Sequence, residues 1–331
     1  MRAVTTIGHN ALEIREHAVP TPGPDEVRVR VHGAGLNRAD LLQRAGLYPA
    51  PPGSPADIPG LEFAGVIEAI GADVTSRSVG DRVFGICGGG GQAECIVVPV
   101  EHCVTVAESL DLVEMGGVPE AFVTAHDALV TQCRVQADDW VLIHAAGSGV
   151  GTAAIQIAKA FGCQVIGTAR NADKLERCRS LGLDVGIVPT LDPDGRIDAV
   201  ALGEAVRSAT GGGADVILDL VGGDYVTADV FAAAPLARIS LIGTLAGSQA
   251  SLPILSVMQK RLQLTGTVLR PRTRAHKAAA MADFARDLSP LIESGQIAPP
   301  IEALLPLADA TTGYDLLASD ATFGKVVFDC R

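Results

Sequence analysis

Trp140-Val-Leu-Ile-His-Ala-Ala-Gly-Ser-Gly-Val-Gly-Thr-Ala-Ala-Ile-Gln156 is the stretch whose reading decides the fold. It opens on a continuous apolar run, the mark of a strand buried on both faces. Gly147, Gly149 and Gly151 follow as G-x-G-x-G. From Gly151 to Phe161 a helix is predicted, because Val150, Ala154, Ile157, Ala158 and Phe161 keep a 3–4 spacing. A strand that turns through glycines into a helix is the context of a dinucleotide-binding turn. Glycines let backbone N–H groups approach a pyrophosphate, and the helix N-terminus adds partial positive charge. Gly147, Ser148, Gly149, Val150 and Gly151 are therefore the candidate phosphate-binding residues.

Downstream, apolar runs alternate with helical segments. Strands are predicted at 164–169, 184–188, 215–221, 237–242 and 262–268, with helices at 173–181 and 202–210. Repeated βαβ units imply a doubly wound parallel sheet. The end of the second strand bears on the nucleotide. NAD sites place a carboxylate there for the ribose hydroxyls, whereas an arginine accommodates a 2′-phosphate. Here the strand ends Gly167-Thr-Ala-Arg-Asn171, with Lys174 one helical turn on and Asp173 as the competing acid. Arg170 and Lys174 favour NADPH as cofactor.

Upstream, the first 110 residues read as β-rich. Glu26-Val-Arg-Val-Arg-Val-His32 alternates apolar and charged residues, and short strands follow at 65–70, 81–84 and 93–98. Tyr48-Pro-Ala-Pro-Pro-Gly53 must be a loop, since proline removes donors and fixes φ. The pattern changes near residue 120. An amphipathic helix at 275–292 precedes a last strand, Gly324-Lys-Val-Val-Phe-Asp329. A lone terminal strand needs a sheet to join, and the β-rich part is the expected partner. The expected domains are 1–120, 121–268, and 269–331 returning to the first.

Composition narrows the function. Of 331 residues, 48% are hydrophobic and 19% charged, which excludes a disordered chain. A net charge of −12 and 4% aromatics argue against nucleic-acid or anionic-membrane partners. Seven cysteines without a C-x-x-C pair fit neither a disulfide framework nor a zinc ribbon. The start, MRAVTTIGHN, lacks the apolar core of a signal peptide, and no run reaches the roughly 18 apolar residues of a membrane span. A cytoplasmic protein is expected.

A family resemblance rests on Leu36-Asn-Arg-Ala-Asp-Leu41, Gly46-Leu-Tyr-Pro-Ala-Pro-Pro-Gly53, Gly88-Gly-Gly-Gly-Gln-Ala93 and His144–Gln156. Ile217-Leu-Asp-Leu-Val-Gly-Gly223 and Leu269-Arg-Pro-Arg272 add to it. In these motifs the chain resembles the zinc-free quinone oxidoreductase branch of the medium-chain dehydrogenase/reductase superfamily, and within it the p53-inducible quinone oxidoreductase-like group. The resemblance implies an α/β fold in which a GroES-like β-rich catalytic domain is interrupted by a Rossmann-type nucleotide-binding domain. It also implies a homodimer through the edge strand 262–268. Zinc-dependent members carry a Cys and a Gly-His-Glu segment in the first domain. This chain has Asn37-Arg38-Ala39-Asp40 and Gly60-Leu61-Glu62 there, and Leu61 cannot ligate, so no metal is expected. His102, His126 and His144 are then expected to be structural or surface residues.

Without a metal to polarise a carbonyl, alcohol oxidation is disfavoured and a quinone acceptor is expected. By resemblance, Tyr48 lines the active site as proton donor or positioning residue, and Asn37 lies beside the nicotinamide. Asn37 also reads as an Asx cap of the next helix. By the same resemblance Gly243, Thr244, Leu245, Leu269 and Arg270 border the cofactor and Thr124 touches its phosphates. Many members have Asn-Tyr after the third nucleotide-domain strand, where this chain has Val188-Pro189-Thr190, so one contact to a 2′-phosphate is lost. Two rivals stay open: a C=C reductase of enoyl thioesters or other α,β-unsaturated carbonyls, and a non-catalytic nucleotide-binding protein, as crystallin members show.

Overall fold

The computed structural model of the chain describes residues 1–8, 10–192 and 194–331. The chain divides into two compact units, Thr124–Val268 and Met1–Val123 together with Leu269–Arg331.

The unit Thr124–Val268 holds a six-stranded parallel sheet. In chain order its strands are Trp140–Ile143, Gln164–Thr168, Val185–Ile187, Ala214–Asp219, Ala233–Leu241 and Gln263–Gly266. In space they lie in the order third, second, first, fourth, fifth, sixth. That order reverses between Trp140–Ile143 and Ala214–Asp219, and in such sheets ligands bind beyond the carboxyl ends of the strands that flank the reversal. Leu142, Ile166, Ile217 and Ile239 fill the centre of this core. The edge strand Gln263–Gly266 is shorter than the predicted 262–268. The helix after the glycines begins at Gly149, two residues earlier than predicted. Ser148 is its N-cap and its Oγ accepts from Gly151 N at 3.1 Å, which satisfies an orphan donor.

In the other unit a mainly antiparallel sheet runs Ile301–Pro306, Lys325–Asp329, Glu26–Leu36, Glu62–Ile70, Arg82–Ile86 and Cys103–Thr105, with Cys95–Pro99 also paired to Glu26–Leu36. The terminal strand joins this sheet as expected: Val327 faces Gly35, and Phe328 faces Ala34. The strand Glu26–Leu36 outruns its predicted end at His32. Its alternation stops there because the extension is buried on both faces, and a Cβ at Gly35 would overlap Glu62 Oε1. The helix Arg274–Glu293 buries Lys277, Met281, Phe284, Leu288 and Ile292 along one face. Its Phe284 meets Phe84 edge-on at 5.8 Å. All seven cysteines are buried free thiols. Among the described residues no helix is long and apolar enough to cross a membrane.

Candidate functional site

In the nucleotide unit the candidate site is made by backbone. Ala145, at φ 50°, turns the chain out of the strand Trp140–Ile143 and toward the helix Gly149–Ala160. A Cβ at Gly151 would fall 2.5 Å from Ala145 O and 2.7 Å from Ala146 O, so only glycine lets the helix close on the turn. The result is a 12-residue helix whose first turn presents the N–H groups of Gly149 and Val150. These residues fit a pyrophosphate. Arg170 is exposed just beyond the strand Gln164–Thr168, and Lys174 is half-buried in the next helix, where Asn171 Oδ1 accepts from Lys174 N at 3.0 Å. Gly243 is half-buried, while Thr244 and Leu245 are exposed on the loop after Ala233–Leu241. That loop returns to the strand ends at the order reversal: Gly223 N donates to Gly247 O, and Ala246 N donates to Val221 O. Asp219 Oδ1 accepts from Val221 N at 2.7 Å and Gly222 N at 2.8 Å, which fixes the neighbouring turn. Thr124 is buried at the start of the unit.

Beneath the glycine turn lies a buried polar group. His144 has Nδ1 2.8 Å from Thr168 Oγ1 and Nε2 2.7 Å from Asp229 Oδ1, with both His144 and Asp229 sealed from solvent. Burial pulls the imidazole down, but the charge and hydrogen bond of Asp229 outweigh it and hold His144 above its ordinary range. Burial pushes Asp229 up to about 6. The Tyr225 ring meets His144 edge-on at 4.7 Å. His144 is thus a support for the turn, His126 is buried, and buried His102 bonds Arg274 O at 3.1 Å.

The other unit carries a charged centre that involves four distant segments. Lys325 Nζ donates to Glu62 Oε1 at 2.7 Å, to Asn37 Oδ1 at 2.7 Å and to Leu36 O at 3.0 Å. Asn37 Nδ2 donates to Glu62 Oε1 at 2.7 Å, and Glu120 N donates to Glu62 Oε2 at 2.8 Å. Asn37 is at the same time the N-cap of the helix Arg38–Arg44, where it forms a capping box with Asp40. In that box Asp40 Oδ2 accepts from Asn37 N at 2.8 Å, while Asp40 Oδ1 accepts from Gly60 N at 3.0 Å. Asp40 is fully buried, and burial pushes it up to about 6 against those two N–H donors.

Tyr48 sits half-buried in its proline-rich loop with its ring over the Arg270 guanidinium, 4.7 Å from centroid to carbon. Arg270 was expected at the cofactor. Its Nε donates to Gly88 O at 2.8 Å, one terminal nitrogen to Tyr48 O at 2.8 Å and the other to Gln43 Oε1. Its fork is committed to three protein acceptors, so it clasps the Tyr48 loop. Leu269, expected beside it at the cofactor, is 4% exposed. The Tyr48 hydroxyl has no hydrogen-bond partner among the described residues, and burial, against the pull of Arg270, holds the phenol above its ordinary value.

Sequence reading missed Lys325, Glu120 and Lys277. Two signals were available: Lys325 directly precedes the apolar run Val326-Val327-Phe328 of its strand, and Lys277 falls in phase with the apolar face of its helix. The centre does not fit a resident metal ion. Leu61 is buried where an imidazole would stand, and both Glu62 oxygens are engaged. Among the described residues no group of three or more His, Cys, Asp or Glu side chains could hold one.

Comparison with known proteins agrees with this architecture. The zinc-binding dehydrogenase family matches residues 149–285, and the alcohol dehydrogenase GroES-like domain family matches residues 23–108. A quinone oxidoreductase of Pseudomonas aeruginosa is 34% identical over 97% of this chain and 96% of that protein. A solved NAD-dependent alcohol dehydrogenase is similar with TM-score 0.83 and 32% identity, covering 99% of both chains. A mycobacterial protein solved with NADPH gives TM-score 0.87 and 27% identity, again covering 99% of both. The chain belongs to the medium-chain dehydrogenase/reductase superfamily, with a GroES-like domain interrupted by a Rossmann domain and with quinone oxidoreductases among its homologues.

Proposed function

We propose that this oxidoreductase is an NADPH-dependent, metal-free reductase of quinones and similar electrophilic acceptors. The observation that carries the reading is Leu61, buried where a metal-binding imidazole would be needed, in a chain with an intact dinucleotide turn. When bound, the reduced nicotinamide supplies a hydride. The protein has three tasks: to hold the cofactor, to place the acceptor and to supply a proton. The backbone of Gly147–Gly151 would take the pyrophosphate. Arg170 and Lys174 would take the 2′-phosphate, with the loop Gly243–Leu245 and Thr124 completing the cofactor's surroundings. Asn37, held by Lys325 and Glu62, and Tyr48, held by Arg270, would position the acceptor. The solved relatives include both an NAD-dependent enzyme and an NADPH complex, so the preference for NADPH rests on Arg170. Placement in the p53-inducible quinone oxidoreductase-like group rests on the sequence motifs alone.

The test is oxidation of NADPH and of NADH by purified protein with an ortho-quinone, a para-quinone and an enoyl thioester in parallel. NADPH-preferring turnover with a quinone supports the reading. Turnover with the thioester alone moves the assignment to C=C reduction, and cofactor binding without turnover moves it to a nucleotide-binding protein. We further propose a twofold dimer that pairs Gln263–Gly266 with its symmetry mate. The neighbouring helix Ile254–Lys260 supports this, since it buries no residue and exposes Ile254, Leu255 and Met258 at 65–67%. A monomeric mass by light scattering at micromolar concentration would overturn it.

A further inference from the structure

Two groups of the Met1–Val123/Leu269–Arg331 unit have no use in the account so far. Lys277 is 7% exposed, yet its ammonium makes no hydrogen bond or ion pair among the described residues. The residue is nine-tenths buried while its ammonium lacks a protein partner, which disfavours the charged form, and groups perturbed in this way cluster at functional sites. The second group is Glu120. Its backbone N–H is spent on Glu62, but its carboxyl makes no hydrogen bond or ion pair among the described residues either.

The surroundings explain why Glu120 stays unpaired. Lys325 has three protons, and Leu36 O, Asn37 Oδ1 and Glu62 Oε1 take them all. Glu120 is left with partial burial and with the carboxylates of Glu62, on the strand Glu62–Ile70, and Asp40, on the helix Arg38–Arg44. These oppose its ionisation, while Lys325 and Lys277 favour it. Burial and the carboxylates prevail and push Glu120 up to about 8, so it carries its proton at neutral pH. Lys277 is held below its ordinary value by burial and Arg270, against Cys87 and Glu120. Glu120 also acts electrostatically on Tyr48 and Cys87. The same neighbourhood is tied together by contact: Arg270 holds Gly88 O and carries the Tyr48 ring, and Cys87 Sγ lies 3.2 Å from Gly60 O.

We propose that Glu120 and Lys277 together serve the oxygen of the acceptor, Lys277 holding the negative charge that hydride transfer leaves there and Glu120 delivering the proton. This deepens the reductase reading above and rests on it. The acceptor gains a hydride, that is two electrons and one proton, at one carbonyl oxygen, and the electron pair displaced through the ring leaves the other oxygen anionic. That oxygen takes the Glu120 proton as the carboxyl O–H bond breaks. The products are hydroquinone, oxidised nicotinamide and a Glu120 carboxylate, which regains a proton from water. Tyr48, with its ring fixed on Arg270, then orients the acceptor and donates no proton.

The experiment compares wild type with Glu120→Gln, Lys277→Met and Lys277→Arg. First, infrared difference spectra of cofactor-free protein should show a protonated carboxyl at neutral pH that titrates near pH 8 and is absent from Glu120→Gln. Second, with the quinone that wild type turns over, Glu120→Gln should lower kcat about 100-fold and remove both the alkaline fall in kcat and its solvent deuterium effect. NADPH binding by fluorescence should not change. Lys277→Met should lose turnover that Lys277→Arg largely keeps. Undiminished kcat in Glu120→Gln, or an ionised Glu120 at neutral pH, overturns the proposal and leaves the reductase reading standing. No turnover by wild type with any acceptor overturns both, even where the protonated carboxyl is seen.

Discussion

The two units use buried polar groups in opposite ways. In the nucleotide unit the binding surface is backbone, and the buried side chains His144, Thr168 and Asp229 stand behind it as a brace. In the other unit the buried side chains form the centre themselves, with Glu62, Lys325 and Asn37 satisfied and Glu120 and Lys277 left over. The difference follows from what each is proposed to bind. A pyrophosphate is recognised by shape and by N–H groups, which a short glycine turn supplies. A reacting oxygen needs charge and a proton at one point, which requires ionisable groups held away from water.

That contrast governs how much could be read in advance. The turn, its strand and its helix are adjacent in sequence, so Gly147, Gly149 and Gly151 announced them. The parallel sheet followed from apolar runs between helices. The charged centre is non-local: Asn37, Glu62, Glu120 and Lys325 come from segments up to 288 residues apart. No periodicity brings such groups together. The partners of Arg270 were hidden for the same reason, since its acceptors Gly88, Tyr48 and Gln43 lie far away in the chain and only folding shows that its fork is occupied.

The largest effect should come from breaking the satisfied part of the charged centre. Lys325→Met leaves Glu62 buried without its cation. Removing one partner of a buried pair costs about 3–5 kcal/mol. Urea unfolding should record that loss, while a loss under about 1 kcal/mol would mean that Glu62 is neutral or hydrated and the contrast between the units is weaker than drawn.

Next is a pH effect at Asp40. Folded Asp40 holds its proton up to about pH 6, against an ordinary value of 3.8. Between these values the folded state binds more protons than the unfolded one, so stability must fall as pH rises. The contribution is complete below about pH 4 and gone above pH 6, a swing of about 3 kcal/mol. The stability difference between wild type and Asp40→Asn cancels other groups and should shrink by that amount across the window. A difference that stays level or grows with pH would place the Asp40 carboxylate, not the acid, in the folded core.

In the nucleotide unit a side-chain change should alter selectivity more than stability. If Arg170 holds a 2′-phosphate as proposed, Arg170→Ala removes a charge-assisted contact worth about 1.5–3 kcal/mol. NADPH should bind about 10- to 100-fold more weakly, with NADH and the melting temperature little changed. Equal weakening of both cofactors would assign Arg170 to the pyrophosphate or to folding. Either result sharpens the comparison, because it separates the backbone contribution from that of Arg170.

The smallest effect should be at Tyr48. Its ring is held over Arg270, and its hydroxyl has no hydrogen-bond partner among the described residues. Tyr48→Phe keeps the ring and the cation contact and removes only the hydroxyl, so stability should change by less than about 0.5 kcal/mol. If the proton comes from Glu120, kcat should fall by no more than about threefold, and the alkaline limb of the pH profile should stay near pH 8. Tyr48→Ala should do more, because without the ring the Arg270 clasp loses its cover and the loop its fixed conformation; KM should rise while the alkaline limb again stays in place. A Tyr48→Phe variant that loses the limb, or most of kcat, would instead make the phenol the proton donor. It would also return the charged centre to the role that His144 and Asp229 have in the other unit, a brace beneath the reacting surface.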